Sequence, residues 1–210
     1  MSTEGLIAFC RPGFEPDLAA ELSYHAGVHG IPAYAKTERN SAYVLMLGAS
    51  REQLSEAIAF DQLIFARQKY ALIDELKGLD IQDRITPVID ALGGKGRYGD
   101  LSVEHPDSDD ARQLSGLAKA FGNALRPALR KRGLLTDKPN EKLPQLHVVF
   151  VSNNHLLLAS SVASDRSPWP MGIARLRQDT RAPSRSAMKL DEALLCLLTP
   201  AERMNLLQVD

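Results

Sequence analysis

Over residues 5–76, short apolar runs of strand length alternate with segments of helical spacing, and this order restricts the fold more than any other feature of the chain. Residues 5–10 (GLIAFC) read as a buried strand, broken by Arg11-Pro12-Gly13. From Pro16 to Val28, Leu18 and Leu22 recur at helical spacing with His25 or Ala26, and Gly27 and Gly30 end the helix. Residues 42–47 (AYVLML) form a second strand. Ser50 is an N-cap for a helix over 50–59, and residues 62–76 read as a third strand.

This β-α-β-α-β order is close to a small ferredoxin-like half-module. A second mixed unit begins near Asp80. It has a helix to Leu92, a strand over 100–105 and a long helix over 111–132 that ends at Gly133. Two apolar runs, 146–152 and 155–162, flank the turn residues Ser152-Asn153-Asn154 and read as a hairpin. A short strand is expected at Gly172–Leu176, and a last helix from Ala182 to about Leu198. The expected class is α+β. Its domains are residues 1–78, residues 79–180 and a terminal segment, 181–210.

The 210 residues carry 25 Lys+Arg and 26 Asp+Glu, a net charge of −1 that on its face discourages nucleic acid as a partner. The distribution reverses that reading. Residues 111–132 contain Arg112, Lys119, Arg126, Arg130, Lys131 and Arg132 and no acid. Leu114, Leu117, Ala118, Phe121, Leu125 and Leu129 share one face of this helix, and Arg112, Lys119, Arg126 and Arg130 fall together away from it. The stripe is either a solvated helix face, although such faces usually mix both signs, or a footprint for a phosphate backbone. Pro127 is expected to kink or split the helix. A second basic segment holds Arg166, Arg175, Arg177, Arg181, Arg185 and Lys189 against Asp165 and Asp179. Its arginines suit bidentate phosphate contacts, and Trp169 is either a base-stacking ring or a packed aromatic.

Other signals are weaker. Gly94-Lys95-Gly96-Arg97-Tyr98-Gly99 fits GxGxxG, but a helix precedes it and a strand follows, the reverse of a dinucleotide site. It reads as a loop. His25 and His29 have ligand spacing without a third ligand, so no metal is expected. Cys10 is apolar-flanked and reads as core. No run of 18 apolar residues occurs, and two cysteines suit a reducing cytosol.

Five separated segments together resemble a family. They are Phe9-Cys10-Arg11-Pro12-Gly13-Phe14-Glu15, Leu63–Gln68, Asp83-Arg84-Ile85-Thr86-Pro87, Met171–Leu176 and Ala182-Pro183-Ser184-Arg185-Ser186-Ala187-Met188-Lys189-Leu190-Asp191-Glu192-Ala193. The sequence is similar to the N-terminal part of bacterial large-subunit ribosomal RNA cytidine 2′-O-methyltransferases of the RlmM type. The resemblance implies a ferredoxin-like module and a THUMP-type RNA-binding module, followed by the first helix of a Rossmann-like domain. It implies 23S rRNA as partner, S-adenosylmethionine as methyl donor, a cytoplasmic location and Lys189 as the first lysine of a Lys-Asp-Lys-Glu catalytic set. A lysine beside a ribose 2′-hydroxyl helps remove its proton. The family's glycine-rich cofactor loop and the rest of the catalytic set have no counterpart in the chain, so this segment alone is expected to be inactive and to bind no S-adenosylmethionine. The competing expectation is a stand-alone RNA-binding or ribosome-assembly adaptor without catalysis.

Overall fold

A computed structural model describes residues 3–176 and 186–207. The chain forms two compact units, residues 1–172 and 173–210. The first unit contains β1 (Gly5–Phe9), α1 (Glu15–Val28), β2 (Tyr34–Thr37), β3 (Tyr43–Leu47), α2 (Arg51–Ala57) and β4 (Gln68–Leu76). It continues with α3 (Ile85–Leu92), β5 (Asp100–Glu104), α4 (Ser115–Lys131), β6 (Gln145–Ser152) and β7 (His155–Ser161). All seven strands join one sheet in the order β2-β3-β1-β4-β7-β6-β5. Only β5 and β6 run parallel.

The register shows how one sheet serves two helix layers. Met46, Leu6, Ala71, Ser160, Leu146 and Leu101 are successive cross-strand partners, so they lie on one face. At one end of that face, Leu6, Ala8, Val44 and Met46 pack with Leu18, Leu22 and Ala26 of α1 and Leu54 and Ala57 of α2. At the other end, Leu101, Leu146, Val148, Phe150, Leu156 and Leu158 pack with Val88 and Leu92 of α3 and Ala118, Phe121, Leu125 and Leu129 of α4. The opposite face carries Ile7, Phe9, Tyr70, Leu72, Ala159 and His147, all buried.

Local signals explain most boundaries. Ser50 Oγ accepts from Gln53 N–H while the Gln53 side chain accepts from Ser50 N–H, a complete capping box for α2. Glu15, buried at the start of α1, accepts from Gly13 N–H and, at 2.8 Å, from Ala42 N–H. Cys10 is buried core, as its flanks imply.

Several elements differ from the sequence expectation. Strand β2 was absent from that expectation because it is short, lies at the sheet edge and buries none of its residues. With it the first half reads β-α-β-β-α-β. The run 62–76 is a strand only from Gln68, because Phe60–Gln62 is a 3-10 turn and Ile64 stands exposed. Helix α3 starts at Ile85, not Asp80: the Asp83 carboxylate accepts from Ile85 and Thr86 N–H and fixes the first turn there. Pro127 does not split α4, which runs unbroken from Ser115 to Lys131. Asn123, whose carbonyl loses the Pro127 partner, is exposed to water.

In the second unit, residues 173–176 form no strand. Helix α5 (Ser186–Leu197) buries none of its residues, and α6 (Pro200–Leu207) follows after a Thr199–Glu202 cap. The expected helix start at 182–185 lies outside the described residues.

Candidate nucleic-acid interface

Helix α4 presents the basic stripe, but the structure divides its members by what they touch. Arg112, in a 3-10 turn just before α4, is exposed and pairs with exposed Asp109 at 3.3 Å. Lys119 is exposed. Arg126 is half-buried. Its guanidinium bonds Asp100 Oδ1 at 2.6 Å and the Leu101 carbonyl at 2.7 Å. Strand β5 is a sheet edge, and Arg126 ties it to α4. Arg130 donates through Nε to the Thr136 carbonyl at 3.2 Å. The stripe therefore borders the buried face instead of opposing it, and two of its four cations hold neighbouring backbone. Arg112 and Lys119, with Lys131 and Arg132 at the helix end, are the exposed cations of this region.

The second basic segment is split as well. Arg166 is half-buried. It donates to the Ser167 carbonyl at 3.4 Å, and its buried Nε has no hydrogen-bond partner among the described residues. It lines a cavity of about 320 Å³ together with Asp100, Asn140 and Gln145. Asp100, already the partner of Arg126, thus lines the same cavity as Arg166. Arg175 is exposed in the second unit, and Lys189 is exposed on α5. Arg177, Arg181 and Arg185 lie outside the described residues. Trp169 is half-buried, and its carbonyl accepts from Gln68 Nε2 at 3.2 Å.

Beyond Ser161 the chain leaves the sheet and crosses the end of β4. There Gln68 bonds Ser167 and Trp169 on one face of the sheet. Lys69 turns to the other face, is 1% exposed, and pairs with Asp165 at 2.5 Å. Its ammonium also donates to the Ser55 and Ile58 carbonyls at the end of α2. Burial holds this lysine below its ordinary value, and Asp165 opposes that effect. Beside the crossing lies a cavity of about 500 Å³, lined among others by Arg51, Lys69, Lys95, Arg97 and Tyr98. Arg51 and the two cations of the GKGRYG loop were not among the expected site residues. Their signal in the sequence was the placing of Lys95 and Arg97 between glycines.

The glycine pattern itself has a structural basis. Gly94 and Gly96 take positive φ, whereas a Cβ on Gly99 would lie 1.9 Å from the Asn140 carbonyl oxygen. The loop leads into strand β5, as expected, and offers no helix N-terminus to a phosphate. Among the described residues there is no cluster of His, Cys, Asp and Glu fit for a metal, and no helix long and apolar enough to cross a membrane.

Strand order and helix placement define a ferredoxin-like domain extended through a shared sheet by a second α/β domain. Residues 3–70 match the RlmM ferredoxin-like domain, and residues 83–162 match the N-terminal domain of ribosomal RNA large subunit methyltransferase M. The protein of that name from Xanthomonas campestris pv. campestris (strain B100) is 58% identical over 204 residues, covering 97% of this chain and 59% of that one. Its counterpart from Xanthomonas axonopodis pv. citri (strain 306) is 59% identical over 199 residues, 95% of this chain and 57% of that one. The chain belongs to the ribosomal RNA large subunit methyltransferase M family. It spans less than two thirds of the length of these curated relatives. Among solved structures, PH1313 from Pyrococcus horikoshii Ot3 shares the fold, with a TM-score of 0.51 at 6% identity over 75% of this chain and 54% of that one.

Proposed function

We propose that this chain is the RNA-binding N-terminal half of an S-adenosylmethionine-dependent methyltransferase that modifies a cytidine ribose 2′-hydroxyl of 23S rRNA in the cytoplasm. The observation that carries the reading is the 58% identity, over nearly the whole chain, to relatives named for large-subunit ribosomal RNA methylation. Residues 1–78 are the ferredoxin-like module, 79–180 a THUMP-type RNA-binding module, and 181–210 the entry to a Rossmann-like catalytic domain. The exposed cations Arg112 and Lys119, with Arg166, Arg175, Arg177, Arg181 and Arg185, supply the phosphate contacts.

S-adenosylmethionine would supply the methyl group. The residues described here do not fit it: the one GxGxxG loop runs into a strand, and its third glycine is occupied by packing against Asn140. The donor is therefore assigned to the part of the relatives' length that this chain does not span. Lys189 is the residue of this chain that would meet the acceptor, holding or taking the proton of the 2′-hydroxyl.

Binding of a 23S rRNA fragment, followed by fluorescence anisotropy across a salt series, tests the reading. Affinity is expected to fall with a log–log slope of about −0.7 to −0.9 for each phosphate contacted. Lys119→Glu should weaken binding and flatten that slope. Salt-independent binding, or none, overturns the proposal.

A further inference from the structure

The cavity of about 500 Å³ beside Lys69 carries an inference that the basic helix does not. Its walls come from both family domains: Arg51 and Ser55 from α2, Tyr70 from β4, Lys95 to Tyr98 from the glycine loop, and Ser160 and Ser161 from β7. The size is that of a pocket for one small ligand, not for a duplex.

Its polar groups are unevenly satisfied. Lys69 and Asp165 neutralise each other, and Lys69 is closed off by the α2 carbonyls. Tyr98 is only 4% exposed, yet its hydroxyl makes no hydrogen bond among the described residues. That hydroxyl is left available as a donor to the cavity that Tyr98 lines. Arg51 lines the same cavity as Tyr98. Arg51 bonds Glu52 through Nε at 2.7 Å, and its two terminal nitrogens make no hydrogen bond among the described residues. Arg97 is exposed at the rim. The four cations and two carboxylates of the lining leave a net positive charge.

A hydroxyl donor and a guanidinium fork lining one cavity, with further cations and a wall of Ala71, Pro144 and Val162, match an anion attached to an aromatic group. We propose that this cavity binds a single nucleotide, with its phosphate on the Tyr98 hydroxyl and Arg51 and its base against the apolar wall. The strand that carries this nucleotide is RNA on the function proposed above; the phosphate site itself does not depend on that reading.

The test is isothermal titration of the 210-residue chain with adenosine 5′-monophosphate and with 5′-phosphorylated pentaadenylate, in wild type, Tyr98→Phe and Arg51→Gln. Saturable binding that each substitution weakens roughly tenfold or more supports the site. Arg51 is at the surface end of α2, so Arg51→Gln keeps the test valid if Tyr98→Phe fails to fold. Tighter binding of the pentanucleotide than of the monophosphate assigns the site to an RNA strand. Equal binding supports the pocket and assigns it to a free nucleotide. Both probes failing to bind, or unchanged affinity in both variants, overturns the proposal. If 23S rRNA binding then keeps its salt dependence, only the pocket is lost; if that is absent too, the RNA-binding reading fails separately.

Discussion

The ring of Tyr70 lies flat against that of His147, with centroids 3.7 Å apart and planes inclined by 14°. The two residues come from the two family domains and from strands separated by β7. Ala159 and Ser161 on β7 are small enough to let them meet. The Tyr70 hydroxyl donates to Glu104 at 3.0 Å, and His147 Nε2 meets Ser161 Oγ at 2.8 Å. A polar cluster therefore sits inside the joint between the domains.

Burial holds the His147 imidazole below its ordinary value of 6.5, although Glu104 pulls the other way. Arg166 adds to the lowering and Asp100 opposes it. The unfolded chain then takes up a proton near pH 6.5 that the folded chain refuses. Stability from the neutral ring is complete above that pH and is lost as pH falls toward the folded value, at up to about 1.4 kcal/mol per pH unit. His155, paired with Glu75, shifts in the same direction. Urea unfolding at pH 7.5, 6.5 and 5.5 should show stability falling with acid, and His147→Gln should reduce that fall. Identical pH slopes in the two proteins would contradict this account.

Lys69→Met should destabilise the fold by about 3 kcal/mol, the lower end for breaking a buried pair, because Asp165 is partly exposed and can rehydrate. The loss has two parts. The Ser55 and Ile58 carbonyls lose a donor, and the crossing at Ala163–Asp165 loses its tie to β4. Thermal unfolding measures the total. Hydrogen exchange should show early opening of residues 162–166; protection equal to wild type there would sink the idea of a tie.

The mixed α and β content and the hairpin at Ser152-Asn153-Asn154 were legible because apolar periodicity reports buried faces. Strand β2 was not, since only Ala35 of Tyr34–Thr37 packs on the core and none of the four is fully buried, which leaves no periodic trace. The single continuous sheet was also hidden, because the β4–β7 pairing joins residues some 80 positions apart and no local pattern encodes it. The basic helix was found from charge alone. Which of its cations face water was not, because that depends on Asp100 and the edge of β5. Tyr98 and Arg51 were missed for the same reason: they become neighbours only through the fold.

Arg126 and Lys119 should separate stability from binding. Arg126→Ala removes two charge-assisted bonds to an edge strand and should cost about 1 kcal/mol, moderated by its partial exposure. Lys119→Ala touches solvent only and should leave the unfolding midpoint within about 0.5 kcal/mol of wild type. RNA affinity at fixed salt should fall for Lys119→Ala. A Lys119→Ala protein that unfolds earlier than Arg126→Ala would reverse the assignment.

Three glycine substitutions should rank in a set order. Gly116 lies in α4 with open space around it, so Gly116→Ala should stabilise by up to about 1 kcal/mol through the lost freedom of the unfolded chain. Gly94 has φ +76 and open surroundings, so Gly94→Ala meets only backbone strain, about 1 kcal/mol. Gly99 has no room at all: its Cβ would enter the Asn140 carbonyl. Its N–H also donates to Pro144 at 2.8 Å, and its carbonyl accepts from Asn140 and, at 2.7 Å, from Thr136 Oγ1. Gly99→Ala must therefore push the 136–144 loop off the start of β5, at a cost of roughly 2–3 kcal/mol. Chemical denaturation of the three variants gives the order directly. If Gly99→Ala is the mildest of the three, the third glycine of the loop is not there for packing.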